Sequence, residues 1–170
     1  GMPGICDPGY RIIRAALDEG LPVEVLPGPS ALETAIVASG FATDSFLFLG
    51  FLPRRRGELE KALALVTVQQ RTCVAYESPH RLAKTLSAAA PILGEKKIAI
   101  CRELTKKFEE ITRGRAADLL AGLPERVKGE IVLVFEGSSA ADEKPVVTDA
   151  LQATLLGMLV VGLAPPRIAA

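Results

Sequence analysis

The chain has 170 residues, with 20 Lys and Arg against 20 Asp and Glu, so its formal net charge is zero, and hydrophobic residues make up 49%. That apolar fraction excludes disorder as a description of the whole chain. Balanced charge excludes a nucleic-acid binder working by bulk positive charge, so such a partner must be met by a local patch.

The length allows one ordinary domain or two small ones. In chain order, Asp7-Pro8 reads as a helix start, an N-cap acceptor followed by a residue preset for the first turn. Tyr10, Ile13, Ala16 and Leu17 recur at helical spacing, and Gly20 ends the run. Val23 to Leu26 reads as a short strand and Pro27-Gly28-Pro29 as a turn. Ser30-x-x-Glu33 is a capping box opening a helix to about Ser39. Phe41 to Ser45 reads as a linker, which divides the chain into residues 1–42, the end of a first domain, and 43–137, a second domain.

The second part alternates. Phe46 to Phe51 is expected to be a buried strand, and Leu59, Leu63 and Val66 mark a helix. Thr72 to Glu77 is a strand, after which Ser78-Pro79 caps a helix carrying Leu82, Leu86 and Ala90. Lys97 to Cys101 and Glu109 to Arg113 are strands, and Ala116 to Leu120 is a short helix. Glu130 to Glu136 is a final strand whose near-continuous apolar run fits a sheet covered on both faces. Strands separated by helices give an α/β layer architecture. Ser138 to Pro145 reads as a linker and Leu151, Leu155, Met158 and Leu159 as a terminal helix, so residues 138–170 form a third region.

Cys6, Cys73 and Cys101 are odd in number and have no CxxC spacing, so neither a disulfide framework nor a zinc site is expected. Each sits in or beside an apolar run and reads as a small buried residue. The most apolar stretch, Leu155 to Ala164, is short of the roughly 20 residues a membrane span needs. No signal peptide is read, and a cytoplasmic protein with no metal and no membrane partner is expected. Gly1-Met2 has the look of a tag remnant and an initiator methionine. The loop chemistry at Pro3 to Gly9 and the helix start at Pro165-Pro166 read as cuts through a longer protein.

In open α/β sheets ligands gather at the carboxyl ends of strands. Glu77-Ser78-Pro79-His80-Arg81, Arg102-Glu103-Leu104-Thr105-Lys106 and Pro27-Gly28-Pro29-Ser30-Ala31 all follow strand-like runs. The first holds the only histidine. A carboxylate, an imidazole and a guanidinium at a helix start can handle a proton and an anion together. Each also has a plainer reading: Ser78 as a cap, Glu77 as a partner of Arg81, His80 as structural, Arg54-Arg55-Arg56 as a solvated loop. No Walker loop, GxGxxG, GxSxG or metal-ligand spacing is present.

Six segments occur in order: Pro3-Gly4-Ile5-Cys6-Asp7-Pro8-Gly9, Leu26-Pro27-Gly28-Pro29-Ser30-Ala31, Phe46 to Pro53, Tyr76-Glu77-Ser78-Pro79-His80-Arg81, Arg102 to Lys106, and Lys128-Gly129-Glu130-Ile131-Val132-Leu133-Val134. Together they closely resemble the ribosomal RNA small subunit methyltransferase I family of the tetrapyrrole methylase superfamily. The resemblance runs from residue 3 to about 137. It implies a two-domain α/β enzyme with a mixed sheet, tetrapyrrole-methylase-like. The implied activity is S-adenosylmethionine-dependent methylation of a cytidine 2′-hydroxyl in small-subunit (16S) ribosomal RNA. The implied partners are that RNA or the 30S subunit and a second copy in a homodimer.

By position, the resemblance assigns Pro3, Cys6, Asp7, Gly28, Ser30, Ala31, Tyr76, Ser78, Gly129 and Glu130 to the cofactor. Candidate proton acceptors are Glu77, His80 and Glu103. Arg54, Arg55, Arg81, Arg102 and Lys106 are candidate RNA contacts. Two positions depart from the family loop, where Met2 stands for threonine and Cys6 for serine. The family's first domain begins some tens of residues earlier, so this chain is expected to lack half of the cofactor site and to be inactive alone. The alternatives are a tetrapyrrole methylase and a non-catalytic fragment that binds RNA or dimerises.

Overall fold

The computed structural model describes residues 2–138. Its elements are α1 (Tyr10–Asp18), α2 (Ala31–Ser39), β1 (Phe46–Phe51), α3 (Arg56–Val68), β2 (Thr72–Glu77), α4 (Leu82–Leu93), β3 (Lys97–Arg102), β4 (Glu110–Arg115), α5 (Ala116–Ala121) and β5 (Ile131–Phe135). The expected terminal helix lies outside the described residues, as does all but the first residue of the linker at Ser138 to Pro145.

Five strands form one mixed sheet in the order β1-β2-β5-β3-β4. β1 and β2 run parallel, and β5 runs antiparallel to both β2 and β3. The carboxyl ends of β1, β2 and β3 therefore meet at one edge, where β5 begins. Register fixes this closely, since Ile131 pairs with Glu77 on one side and with Arg102 on the other.

The unbroken apolar run of β5 follows from its central place. Ile131, Leu133 and Phe135 face one layer, packed with Leu59, Leu63 and Val66 of α3 and Leu82, Leu86 and Ala89 of α4. Val132 and Val134 face the other layer, packed with Leu32, Ala35 and Ile36 of α2. Side chains alternate along the strand, so a sheet covered on both faces needs apolar residues at every position. Full burial of each such side chain contributes on the order of 1.5–3 kcal/mol.

Carbonyls at helix ends are met by long cations. Arg113 Nε donates to Ser39 O at 2.6 Å and its Nη2 donates to Ala38 O at the end of α2. Lys96 Nζ donates to Val66 O at 3.1 Å and Gln69 O at 3.3 Å at the end of α3. At α2 these bonds meet carbonyls the helix leaves open, and at α3 they add to the backbone bonds that Val66 O and Gln69 O accept from Gln69 N and Ser138 N.

The strands of the second part and the helices at Leu59 and Leu82 form where the periodicity puts them. Ser30 is the N-cap of α2, accepting from Glu33 N at 3.5 Å, and Gly40 closes the helix in the left-handed region at φ 73°. The α2 helix, which precedes the expected boundary at residues 41–45, packs on the sheet built after it.

Several expectations are corrected. Asp7 does not cap α1; the N-cap is Gly9, with no side-chain cap bond, because left-handed turns at Gly4 and Cys6 carry Asp7 elsewhere. Val23 to Leu26 is no strand, and it pairs with none of the sheet's five strands. β1 is an edge strand rather than a buried one, with Phe46 and Phe51 exposed at its ends. Ser78 is not the cap of α4, whose N-cap is Arg81. Instead, the Ser78 carbonyl accepts from Arg81 N and Leu82 N in a turn. Cys6 is exposed, while Cys73 and Cys101 are buried as expected. The α1 helix buries none of its side chains. Among the described residues, no helix is long and apolar enough to cross a membrane, and no cluster of three His, Cys, Asp or Glu is placed to hold a metal.

Candidate functional site

β2 leaves the sheet into Glu77 to Arg81, β3 leaves into Glu103 to Lys106, and β5 enters through Gly129 and Glu130. The loops around Asp7 and Ser30 face that edge. Between them lies a cleft of about 470 Å³. Its sheet side carries Tyr76, Glu77, Ser78, Lys106, Gly129 and Glu130, and its opposite side Asp7, Ser30 and Ala31. Phe51, Leu104, Ile131 and Val132 add an apolar surface. The Tyr76 ring packs against Phe48 and Phe51 at centroid distances of 5.2 and 5.4 Å. Burial raises the pKa of its phenol above the ordinary value.

The Glu77 carboxylate is wholly buried and fully engaged. Oε1 accepts from Ser78 N at 2.8 Å and lies 3.4 Å from Arg81 Nη1, and Oε2 accepts from Thr85 Oγ1 at 2.6 Å. Arg81 Nη2 donates to Leu52 O at 3.0 Å and Pro53 O at 2.6 Å. The pair thus fastens the exit of β1 to the first turn of α4. A buried ion pair is tolerated only when its remaining hydrogen-bonding capacity is met, as here.

The loop after β3 is held in an uncommon shape. Glu103 and Thr105 have φ of 50° and 64°, left-handed values for residues other than glycine. Glu103 N donates to Glu130 O at 3.0 Å, and Glu130 N donates back to Glu103 Oε1 at 2.9 Å. Lys106 Nζ donates to Glu103 Oε1 at 3.0 Å and to Glu130 Oε2 at 2.9 Å. Gly129 at φ 94° lets this happen, because a Cβ there would collide with the Glu103 side chain. The Glu130 amide, and then Lys106, hold the Glu103 carboxyl below its ordinary pKa. Glu130 and Glu103 raise Lys106 in turn.

Glu77, His80 and Glu103, the three candidate proton acceptors, stand in different surroundings. Glu77 lies on the cleft with both oxygens occupied, and Glu103 supports the cleft through Lys106 and Glu130. His80 faces a separate depression of about 450 Å³ with Arg126 and Lys128. Pro3, Cys6 and Gly28 fall outside the cleft lining, while Asp7, Ser30, Ala31, Tyr76, Ser78, Gly129 and Glu130 belong to it.

The cations also divide. Arg81 is spent on carbonyls, Arg102 pairs with Glu110 at 2.6 Å, and Lys106 is the bridge just described. Arg54 and Arg55 are exposed. Phe51, Leu104 and Thr34 were not expected in the lining. The cue for Phe51 and Leu104 is their position directly at strand exits; Thr34, one turn into α2, gives none in the sequence.

A model of the Tetrapyrrole (Corrin/Porphyrin) Methylases matches residues 1–120. Ribosomal RNA small subunit methyltransferase I of Halalkalibacterium halodurans is 45% identical over 139 residues, 81% of this chain and 48% of that protein. Its counterpart from Bacillus subtilis is 46% identical over 140 residues, 82% of this chain and 48% of that protein. The chain spans about half the length of these relatives. Among solved structures, the methyltransferase CobJ superposes with a TM-score of 0.60 at 20% identity, over 81% of this chain and 62% of that one. A diphthine synthase gives 0.56 at 11% identity, over 80% of this chain and 57% of that one. Uroporphyrin-III C-methyl transferase from Thermus thermophilus, complexed with S-adenosyl homocysteine, gives 0.50 at 19% identity, over 79% and 62%. These likenesses at low identity speak for the fold, and the model match over well more than half of the chain gives the family: the chain belongs to the tetrapyrrole (corrin/porphyrin) methylases.

Proposed function

We propose that this chain forms the strand-edge wall of an S-adenosylmethionine-dependent methyltransferase acting on the 2′-hydroxyl of a cytidine in small-subunit ribosomal RNA. The cleft at the carboxyl edge of the sheet carries this reading. It is lined from all six segments that resemble the methyltransferase I family, and relatives of that name are 45% and 46% identical over 139 and 140 residues. A homodimer in the cytoplasm is part of the same reading.

The cleft suits the cofactor chemically. Ala31, Leu104, Ile131 and Val132 offer apolar surface for a purine ring, and Ser30, Asp7 and Glu130 offer polar groups for a ribose and an amino acid end. When bound, S-adenosylmethionine supplies a methyl group on a sulfonium, an electrophilic carbon.

The residues act chiefly by alignment, which is the dominant requirement for an in-line displacement. Glu77 is a positioning residue. Through Ser78 N, Thr85 and Arg81 it sets where the turn at Ser78-Pro79 stands against the cleft. Glu103 is likewise a positioning residue, since the same partners that lower its pKa make it a poor proton acceptor. Lys106, kept cationic by two carboxylates, ties the loop after β3 to the start of β5 at the cleft.

The test is transfer of labelled methyl by a polypeptide of the relatives' length that carries these residues. Small ribosomal subunits or their naked RNA are compared with uroporphyrinogen. The expected result is label in the RNA, recovered as a 2′-O-methylated cytidine. Label in the tetrapyrrole would establish the other enzyme reading.

A further inference from the structure

Most of the cations near the cleft are already committed. Arg81 holds the carbonyls of Leu52 and Pro53, Arg102 holds Glu110, and Lys106 holds Glu103 and Glu130. These three were expected to grip RNA phosphates. A guanidinium or ammonium already bonded to protein acceptors has little left to offer a phosphate.

Two exposed cations lie on the other side of the Pro79 turn. Arg126 and Lys128 line the second depression with His80 and the apolar side chains of Ala83, Leu123 and Val127. Among the described residues, neither Arg126 nor Lys128 makes an ion pair, and their side chains donate no hydrogen bond. One carboxylate, Glu125, shares the lining. The two depressions adjoin. Pro79 lines both, and Lys128 in the second is followed directly by Gly129 in the first. A chain entering the cleft and leaving over this ridge would meet Lys128 and Arg126 next.

We infer that the depression lined by His80, Arg126 and Lys128 receives the phosphodiester segment of a single-stranded RNA adjoining the nucleotide whose ribose enters the main cleft. The inference rests on the proposed action on RNA ribose and names where the rest of the strand is held. The chemistry fits that class of ligand. The two cations match phosphate oxygens. The imidazole and proline rings, with the aliphatic side chains between them, offer flat apolar surface to a base. The RNA grip is thus placed on the loop before β5 rather than on the loop after β3.

The experiment measures binding of a short unstructured, fluorescently labelled RNA to the 170-residue chain by anisotropy across a salt series. Calorimetry with S-adenosylhomocysteine is run on the same proteins. For the R126A/K128A double variant, the slope of log affinity against log salt should fall by about 1.4, roughly 0.7 for each single-strand phosphate that is no longer neutralised. R126K/K128R should keep the slope. K97A, which removes a cation from the opposite end of β3, should also keep it. An unchanged slope in R126A/K128A, an equal fall in K97A, or displacement by an acidic peptide as readily as by unlabelled RNA would overturn the inference. Retained binding of S-adenosylhomocysteine alongside such a result would leave the cofactor reading standing. Loss of that binding in the unaltered chain, with the slope still dependent on Arg126 and Lys128, would do the reverse.

Discussion

Glu103 and Glu130 exchange a reciprocal pair of hydrogen bonds, backbone N–H to backbone carbonyl one way and backbone N–H to carboxylate the other. This closes the loop after β3 onto the strand that begins beside it. Gly129 makes the approach possible, so a methyl group there should break it. G129A is expected to free the Glu103 side chain and weaken cofactor binding, and calorimetry with S-adenosylhomocysteine checks this.

The same pair has a pH signature. The folded-state pKa of Glu103 is lowered, first by the Glu130 amide and then by Lys106. Its contribution to the loop is therefore complete above the ordinary glutamate pKa and is lost as pH falls through the depressed folded value. The Glu130 amide resonance, followed by NMR from neutral pH downward, should shift with a midpoint below that of an exposed glutamate. In K106M that midpoint should move up toward the ordinary value.

Glu77 is expected to matter for stability before it matters for chemistry. E77A leaves Thr85 Oγ1 and Ser78 N without their acceptor and removes the carboxylate beside Arg81, which keeps the carbonyls of Leu52 and Pro53. Breaking such a buried pair costs about 3–5 kcal/mol. E77Q keeps the shape and one acceptor oxygen, so its loss should be smaller. Denaturant unfolding of the two variants gives the comparison. Equal and negligible losses would show that the bonds at Ser78 and Thr85 contribute nothing.

The cysteines should differ sharply in reactivity. Cys6 is exposed, whereas Cys73 and Cys101 are buried. Burial pushes the Cys73 thiol up and the Cys101 thiol up to about 11. Since the thiolate is the reactive form, a maleimide at mildly alkaline pH should label Cys6 alone in the native chain. All three thiols should be labelled after unfolding.

The strand pattern was readable from the sequence because each buried strand carries a continuous apolar run closed by charged residues, as Thr72–Glu77 and Ile131–Phe135 do. The N-terminal segment was less legible. Val23 to Leu26 has strand composition, but a strand requires a partner that the residue string does not name. Asp7-Pro8 has the chemistry of a helix start, yet the left-handed turns at Gly4, Cys6 and Gly9 move the start two residues on. At the site, residues held by backbone geometry were recognisable, among them Ser30, Gly129 and Glu130. The partners of Glu103 and Lys106 were not, because it is the register of β5 beside β3 that brings Glu130 to them. Arg126 and Lys128 gave no signal beyond their charge, and it is the turn at Pro79 that sets them beside His80.

In the proposed function, the cleft at the carboxyl edge of the sheet holds the methyl donor. A backbone NMR titration with S-adenosylhomocysteine, run on a polypeptide of the relatives' length that carries these residues, checks this. Shift changes are expected to concentrate at Ser30, Ala31, Ser78, Lys106, Gly129 and Glu130, with Lys97 and the opposite edge unmoved. Saturable binding with its changes at that opposite edge, or no change at the cleft residues at any ligand concentration, would contradict it.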